Sequence, residues 1–303
     1  MELICPACRR HTDRGLELFT VEPASAELLR CRGCGRTYPV IDGIPVLLRD
    51  LSQADALGLF APLHAPDALA ALAEARPDGA PLPHLVEQLS SYLPSWESGF
   101  EAIALKLRAL PRVELAVELG CGVGRALFEL SRISDQVVGL DRSGGFLRAA
   151  KVLLSGAELP YARRMAGRSY TRASVRAPAA AANVQLVCGD VLDPPFAPGQ
   201  FGRVVALNVL DAVRSPRALL HHLHQLAAPG AEIVLASPYA WRDDVVEAKE
   251  RLGGADPAAA LRDEVRALGW SIEEEADLPW TLRRDARALS VYQTHWMRAR
   301  RGD

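Results

Sequence analysis

The run Glu118-Leu119-Gly120-Cys121-Gly122-Val123-Gly124-Arg125 constrains this chain more than any other feature. It follows an apolar stretch, VELAVEL at 113–119, and precedes helical spacing from about Arg125 to Arg132. Three glycines at alternate positions let the main chain turn sharply from strand to helix and let a ligand approach it closely. The dinucleotide pattern G-x-G-x-x-G, begun at Gly120, would need a glycine at 125, where the chain has Arg125. Two later apolar runs also end at acids, QVVGLD at Asp141 and VQLVCG just before Asp190. Glu118, Asp141 and Asp190 therefore stand at three successive predicted strand ends, where open α/β sheets bind ligands. A carboxylate at Asp141 can accept both hydroxyls of a ribose.

The rest of the second half keeps the same rhythm. Strands are expected at 203–209 and 231–236 with a helix at 216–227 between them, after a helix at about 144–154. Alternation of this kind predicts a parallel sheet covered on both faces. The final runs, SIEEEADLPW and ALSVYQTHWMRAR, read as two strands joined by a short return, which suits an antiparallel last strand. Residues 51–112 are broken by Pro62, Pro66, Pro77, Pro81, Pro83 and Pro94 into short pieces, with a good amphipathic helix from Phe100 to Leu110.

The spacing (Glu/Asp)-x-Gly-x-Gly-x-Gly resembles motif I of class I S-adenosylmethionine-dependent methyltransferases. That resemblance implies a Rossmann-like, doubly wound α/β sheet of seven strands with the last one antiparallel. It also implies S-adenosylmethionine as cofactor, with its methionine end on the glycine loop and its adenine beside Asp190. The implied cofactor residues are Glu118, Gly120, Cys121, Gly122, Gly124, Asp141, Arg142, Asp190, Val191 and Asn208. The runs GCGVGRALFELSR, VVGLDRSGGFLRAA, SPYAWRDDVVEAKERLGG and DLPWTLRRDARALSVYQTHW span 120–296. Together they resemble the C-terminal methyltransferase domain of ovothiol-biosynthesis enzymes, which implies a mercaptohistidine-like acceptor.

The cysteines define a second unit. Cys5-x2-Cys8 and Cys31-x2-Cys34 are two knuckles of the kind that present four thiolates to one tetrahedral zinc. Pro6, Gly33 and Gly35 supply the tight bends. The alternative, two disulfides, does not suit a cytoplasmic chain, and the start MELICPACRR lacks the charged-then-apolar pattern of a secretion signal. The continuation CRGCGRTYPVIDGIPVLLRD carries Tyr38, Pro39, Asp42, Gly43, Ile44 and Pro45 and resembles the Trm112-like zinc ribbons. That resemblance implies a structural zinc and a methyltransferase partner, in the same chain or another. The expected organisation is a ribbon at 1–50, a helical linker or cap at 51–112 and a methyltransferase domain at 113–303.

Acceptor residues are sought after the fourth and fifth strands. Asn208 and Asp211 could orient a polar edge, and Tyr239 and Trp241 could wall a flat acceptor. The competing reading has both aromatics packing the loop. His221, His222 and His224 are expected on a helix over the sheet, and His295 could reach the pocket as a base. Arg163, Arg164, Arg168, Arg172 and Arg176 fall within an acid-free stretch, 159–187, interleaved with Tyr161 and Tyr170, read as a solvated loop, a lid or an RNA grip. Formal net charge is -2, so no global field draws the chain to nucleic acid or an anionic membrane, and no run approaches a membrane span. The expectation is a small-molecule N- or S-methyltransferase. The alternatives are an RNA or translation-factor methyltransferase docking through the ribbon, and a non-catalytic scaffold.

Overall fold

The computed structural model describes residues 1–8, 10–12, 15–50, 84–167 and 169–302. Arg168 and the expected short pieces at 51–83 lie outside the described residues. The strands of the first fifty residues are β1 (Arg10–Thr12), β2 (Gly15–Glu17), β3 (Val21–Ser25), β4 (Leu28–Cys31), β5 (Thr37–Ile41) and β6 (Ile44–Leu47). Then come α1 (His84–Tyr92), a short 3-10 turn (Leu93–Trp96) and α2 (Glu101–Arg108). The wound part follows as β7 (Val113–Leu119), α3 (Arg125–Ser131), β8 (Ser134–Asp141) and α4 (Gly144–Leu154). After it come β9 (Glu158–Ala166), β10 (Ser169–Arg176), β11 (Val184–Gly189), β12 (Phe201–Leu207) and α5 (Pro216–Leu226). The chain ends with β13 (Ala227–Ser237), α6 (Pro257–Ala267), β14 (Trp270–Arg283) and β15 (Leu289–Arg301).

The principal sheet runs β14-β15-β13-β12-β7-β8-β11-β6-β5-β4-β3. Its first seven members are the strands expected from the sequence, parallel except for β15, which pairs antiparallel with β13 and β14. The seven-strand expectation is corrected by the rest: the sheet has eleven strands, because β6 pairs in parallel with β11. Val46 lies opposite Cys188 and Leu47 opposite Gly189. The turn from β5 to β6 is a hairpin, with Asp42 and Gly43 both at positive φ, as a two-residue reversal between twisted strands demands.

Two apolar layers sandwich this sheet. On one face α3 and α4 pack with α2 and the residues before it, through Leu127, Leu147, Leu153, Ile103 and Leu107. On the other, Leu219 and Leu223 of α5 and Leu261 and Val265 of α6 pack with Leu235 and Met297. Both layers continue into the first fifty residues: Ile44, Val46 and Leu48 join the first, and Cys5, Tyr38 and Leu47 the second. Polar links reinforce that junction. Arg148 pairs with Asp42 at 2.7 Å, Arg49 with Asp193 at 3.0 Å, and Ile4 donates its N–H to the Pro195 carbonyl.

The arginine-rich stretch is not a loop. β9 and β10 form an antiparallel hairpin whose Leu159, Tyr161, Ala162 and Val175 are buried in the first layer. Ser90 on α1 accepts the Arg164 backbone N–H at 2.8 Å, which ties the hairpin to the cap. No helix among the described residues is long and apolar enough to cross a membrane.

Candidate functional site

The glycine loop has the conformation its composition requires. Gly120, Gly122 and Gly124 lie at φ 78°, 52° and 80°, a region that side-chain-bearing residues rarely adopt. A Cβ on Gly120 would stand 2.4 Å from Val209, whereas one on Gly122 would meet no protein atom within 4 Å. Gly122 thus offers bare main chain to open space. That space is a cavity of about 290 Å³ lined by the loop, Glu118, Asp141, Arg142, Val191 and Asn208.

Its polar groups are held but not saturated. Asp141 accepts the Gly122 N–H through Oδ2 at 2.9 Å and the Ser143 N–H through Oδ1 at 2.8 Å, so its carboxylate is fixed across the loop. Glu118 is buried, and Oε2 has no hydrogen-bond partner. Burial, then the charge of Asp141, pushes the Glu118 carboxyl up to about 8. Burial raises Asp141 as well, against the pull of its two backbone donors. Asn208 sits at φ 56° with Oδ1 buried and unpartnered. Orphaned buried atoms of this kind carry a desolvation cost of about 1–3 kcal/mol each unless a ligand satisfies them. The set suits a ligand with hydroxyl and ammonium donors.

The other wall comes from parts of the chain where no site residue was expected. Gln88 and Tyr92 of α1, Ser95, Phe100, Trp280 of β14 and Arg242 complete the lining. Tyr92 packs on Phe146 with centroids 5.3 Å apart, and Trp280 stacks on Tyr292 at 5.1 Å. The Trp96 indole N–H donates to the Val123 carbonyl at 3.2 Å, and the Thr281 N–H to the Gly99 carbonyl at 3.0 Å. These bonds fasten the cap to the glycine loop on one side and to β14 on the other. The Arg125 guanidinium lies over Trp96 and Phe100 while holding Glu129 at 2.6 Å. The amphipathic spacing of 100–110 foretold that this segment packs, but nothing in it marked which residues face a ligand.

Five expected site residues fall outside this lining, the first being Gly124, where a Cβ would stand 3.0 Å from Ala150 of α4. Asp190 caps a turn by accepting the Leu192 N–H at 2.8 Å and lines a neighbouring cleft with Arg49 and Arg214. Asp211 is buried, its Oδ2 accepting the Ala240 N–H at 2.9 Å and its carbonyl the Arg242 N–H at 3.2 Å, so it clamps the loop after β13. Tyr239 and Trp241 are partly buried against the second apolar layer, with ring centroids 6.1 Å apart, and do not line the cavity. The Tyr239 hydroxyl meets His295 Nδ1 at 2.6 Å, and His295 Nε2 meets Glu275 at 2.9 Å, so His295 is engaged on both sides away from the cavity. His224 takes the indole N–H of Trp270 at 3.1 Å, on the packed side of α5. Arg172 and Arg176 are exposed on β10.

The four cysteines converge. Cys5, Cys8, Cys31 and Cys34 place their Sγ atoms within 4.8 Å of one another. Cys5 and Cys34 are 3.9 Å apart, and Cys8 and Cys31 are 3.7 Å apart. A tetrahedron with metal–sulfur bonds of about 2.3 Å has edges of about 3.8 Å, so the cluster can hold one such ion. The N–H groups of Gly33 and Cys34 point at Cys31 Sγ, and the Tyr38 hydroxyl lies 3.0 Å from Cys5 Sγ. Bonds of this kind orient thiolates around a metal.

Comparison with known proteins agrees with this geometry. Residues 117–235, from the third residue before the glycine loop to within β13, match the family model of a methyltransferase domain. The chain is similar to a chain from the complex of the Haloferax volcanii Trm112 methyltransferase activator with a methyltransferase, at 16% identity, TM-score 0.48, covering 70% of this chain and 99% of that one. It is also similar to a SAM-dependent methyltransferase from Methanosarcina mazei, at 14% identity and TM-score 0.46, covering 65% and 97%. A SAM-dependent methyltransferase from Aquifex aeolicus is similar at 14% identity and TM-score 0.44, covering 71% and 96%. The match of residues 117–235 supports a methyltransferase domain in the wound part of the chain.

Proposed function

We propose that this protein methylates a small nitrogen or sulfur nucleophile, an imidazole or thiohistidine-like molecule, within the aromatic-walled cavity. One observation carries the reading: the cavity joins unsatisfied groups of the glycine loop to a second wall of Tyr92, Phe100 and Trp280, all in one enclosure. Residues 1–50 act as a Trm112-like ribbon with a structural zinc on Cys5, Cys8, Cys31 and Cys34, 51–112 as a cap, and 113–303 as the catalytic domain. The ribbon is a further surface on which a protein partner could dock.

The residues present fit S-adenosylmethionine. Glu118 Oε2 would take its ammonium, Asp141 its ribose hydroxyls, and the bare main chain at Gly122 its methionine end. Arg142 and Val191 flank the adenine side of the lining. When bound, the donor supplies a methyl group already activated on a sulfonium. What remains for the chain is alignment and exclusion of water. Tyr92, Phe100 and Trp280 hold a flat acceptor, and Asn208 Oδ1 accepts an N–H from it, turning the opposite lone pair toward the methyl. These residues would hold the acceptor nitrogen with its lone pair free and its opposite N–H on Asn208 Oδ1, from where the proton could later pass to solvent. An imidazole needs no strong base for that.

The test is methyl transfer from labelled donor to histidine and thiohistidine derivatives and, separately, to total RNA. Turnover of a small acceptor is expected. Labelling of RNA that weakens steeply between 50 and 200 mM salt, without small-molecule turnover, would instead favour the exposed Arg172 and Arg176 as a phosphate-binding face.

A further inference from the structure

Three arginines line the cavity, Arg125, Arg142 and Arg242, against two carboxyls, Glu118 and Asp141. Burial raises both carboxyls, Glu118 up to about 8, so positive groups outweigh negative ones around the ligand-free cavity. A sulfonium donor would add positive charge to the same cavity. The missing charge is negative.

The arginines are not equivalent. Arg125 is committed to Glu129 and to the faces of Trp96 and Phe100. Arg142 follows Asp141 at the donor end. Arg242 enters from the loop after β13 and faces the same cavity, with Tyr92 and Asp211 within reach of its charge. Its ion-pair partner is Asp244, two residues on, with a side chain 67% exposed. Pairs of that kind contribute little and are easily exchanged. Asp244 takes Nε at 3.2 Å and Nη2 at 2.6 Å, which leaves the N–H groups of Nη1 outside the pair. The main chain that carries Arg242 is fixed, because Asp211 binds the N–H groups of both Ala240 and Arg242.

We infer that Arg242 is the anion-binding residue of the acceptor subsite and that the acceptor is a small molecule bearing a carboxylate. The inference rests on the cavity being a combined donor and acceptor site. A planar guanidinium matches a carboxylate in a way an ammonium does not. In this arrangement Asp211, expected from the sequence to touch the acceptor, is a positioning residue that sets where Arg242 reaches.

The test compares imidazole-4-acetate with 4-methylimidazole, which lacks the carboxylate, by calorimetry on the full chain with and without S-adenosylhomocysteine. Wild type should bind the carboxylate about ten- to a hundredfold more tightly. Arg242→Gln should remove that preference and Arg242→Lys restore part of it, with S-adenosylhomocysteine affinity unchanged in both. Equal binding of the two probes by wild type, or a preference that survives Arg242→Gln, overturns the inference. Failure of S-adenosylhomocysteine to bind overturns the donor reading instead, and the probes on the protein alone still decide for or against Arg242.

Discussion

The two halves of the cavity are built in different ways. The half proposed for the donor is, apart from Val191 after β11, made of main chain and short carboxylates at the ends of β7 and β8, within the 25 residues from Glu118 to Arg142. The half proposed for the acceptor is assembled from Tyr92 and Phe100 in the cap, Arg242 after β13 and Trp280 on β14, spread over nearly two hundred positions. A shared reaction constrains the first half by geometry, since glycines and acids must stand at fixed spacing. The second half is side-chain surface on elements that fold the same way whatever they bind.

The broadest perturbation falls on the donor side. Cys31→Ser should abolish the proposed zinc site and lower the unfolding temperature of the whole chain, because the thiol cluster and the sheet share one apolar layer. Structural zinc contributes about 10–16 kcal/mol in small ribbons, so even a fraction of that is visible. Since β6 is bonded to β11, which leads into Val191, donor affinity should fall with it. Two separate unfolding transitions, with donor binding intact, would show the halves to be mechanically independent. Asp141→Ala should raise the donor dissociation constant about ten- to a hundredfold, in line with about 1.5–3 kcal/mol for charge-assisted bonds, measured by calorimetry. An unchanged constant would remove Asp141 from the donor half.

Trp280→Ala addresses the other side. It should raise the acceptor's KM about three- to tenfold, as expected for about 0.5–1.5 kcal/mol of ring contact, and leave the donor constant alone. The reverse pattern would erase the division. The smallest effect is protonic. Glu118 has its carboxyl pushed up to about 8, so its share of the stability of the ligand-free protein is present in acid and lost as pH rises toward 8. Asp141 and Asp211, also raised by burial, add to that slope. Glu118→Gln should flatten thermal stability across that range. Donor binding near pH 7 should release close to one proton in wild type and fewer in the variant, read from calorimetry in buffers of different ionisation heat.

This division also explains what could be read in advance. The glycine spacing, the acids, the order of the wound strands and the four thiols are local patterns, and they could be found by inspection. The pairing of Val46 with Cys188 joins positions more than a hundred residues apart and has no local trace. Tyr239 and Trp241 were placed by their position after β13, but Tyr239 adopts φ 53° and turns its hydroxyl to His295. The β9–β10 hairpin was hidden by its arginines. Its traces were Gly167 at the reversal and the apolar positions Leu159, Tyr161 and Val175.

The parallel joint between β6 and β11 also determines where the sheet ends. Without it, β11 would expose an unpaired backbone along VQLVCG, a stretch with neither charge nor proline to discourage a second chain. As built, the outermost strands are β3, which carries Glu22 and Pro23, and β14, which carries Glu273, Glu274, Glu275, Asp277 and Pro279. Both are poor templates for pairing between molecules. The first fifty residues therefore move the open edge from a sticky strand to a protected one, and a chain lacking them should aggregate through β11 even where its catalytic half still folds.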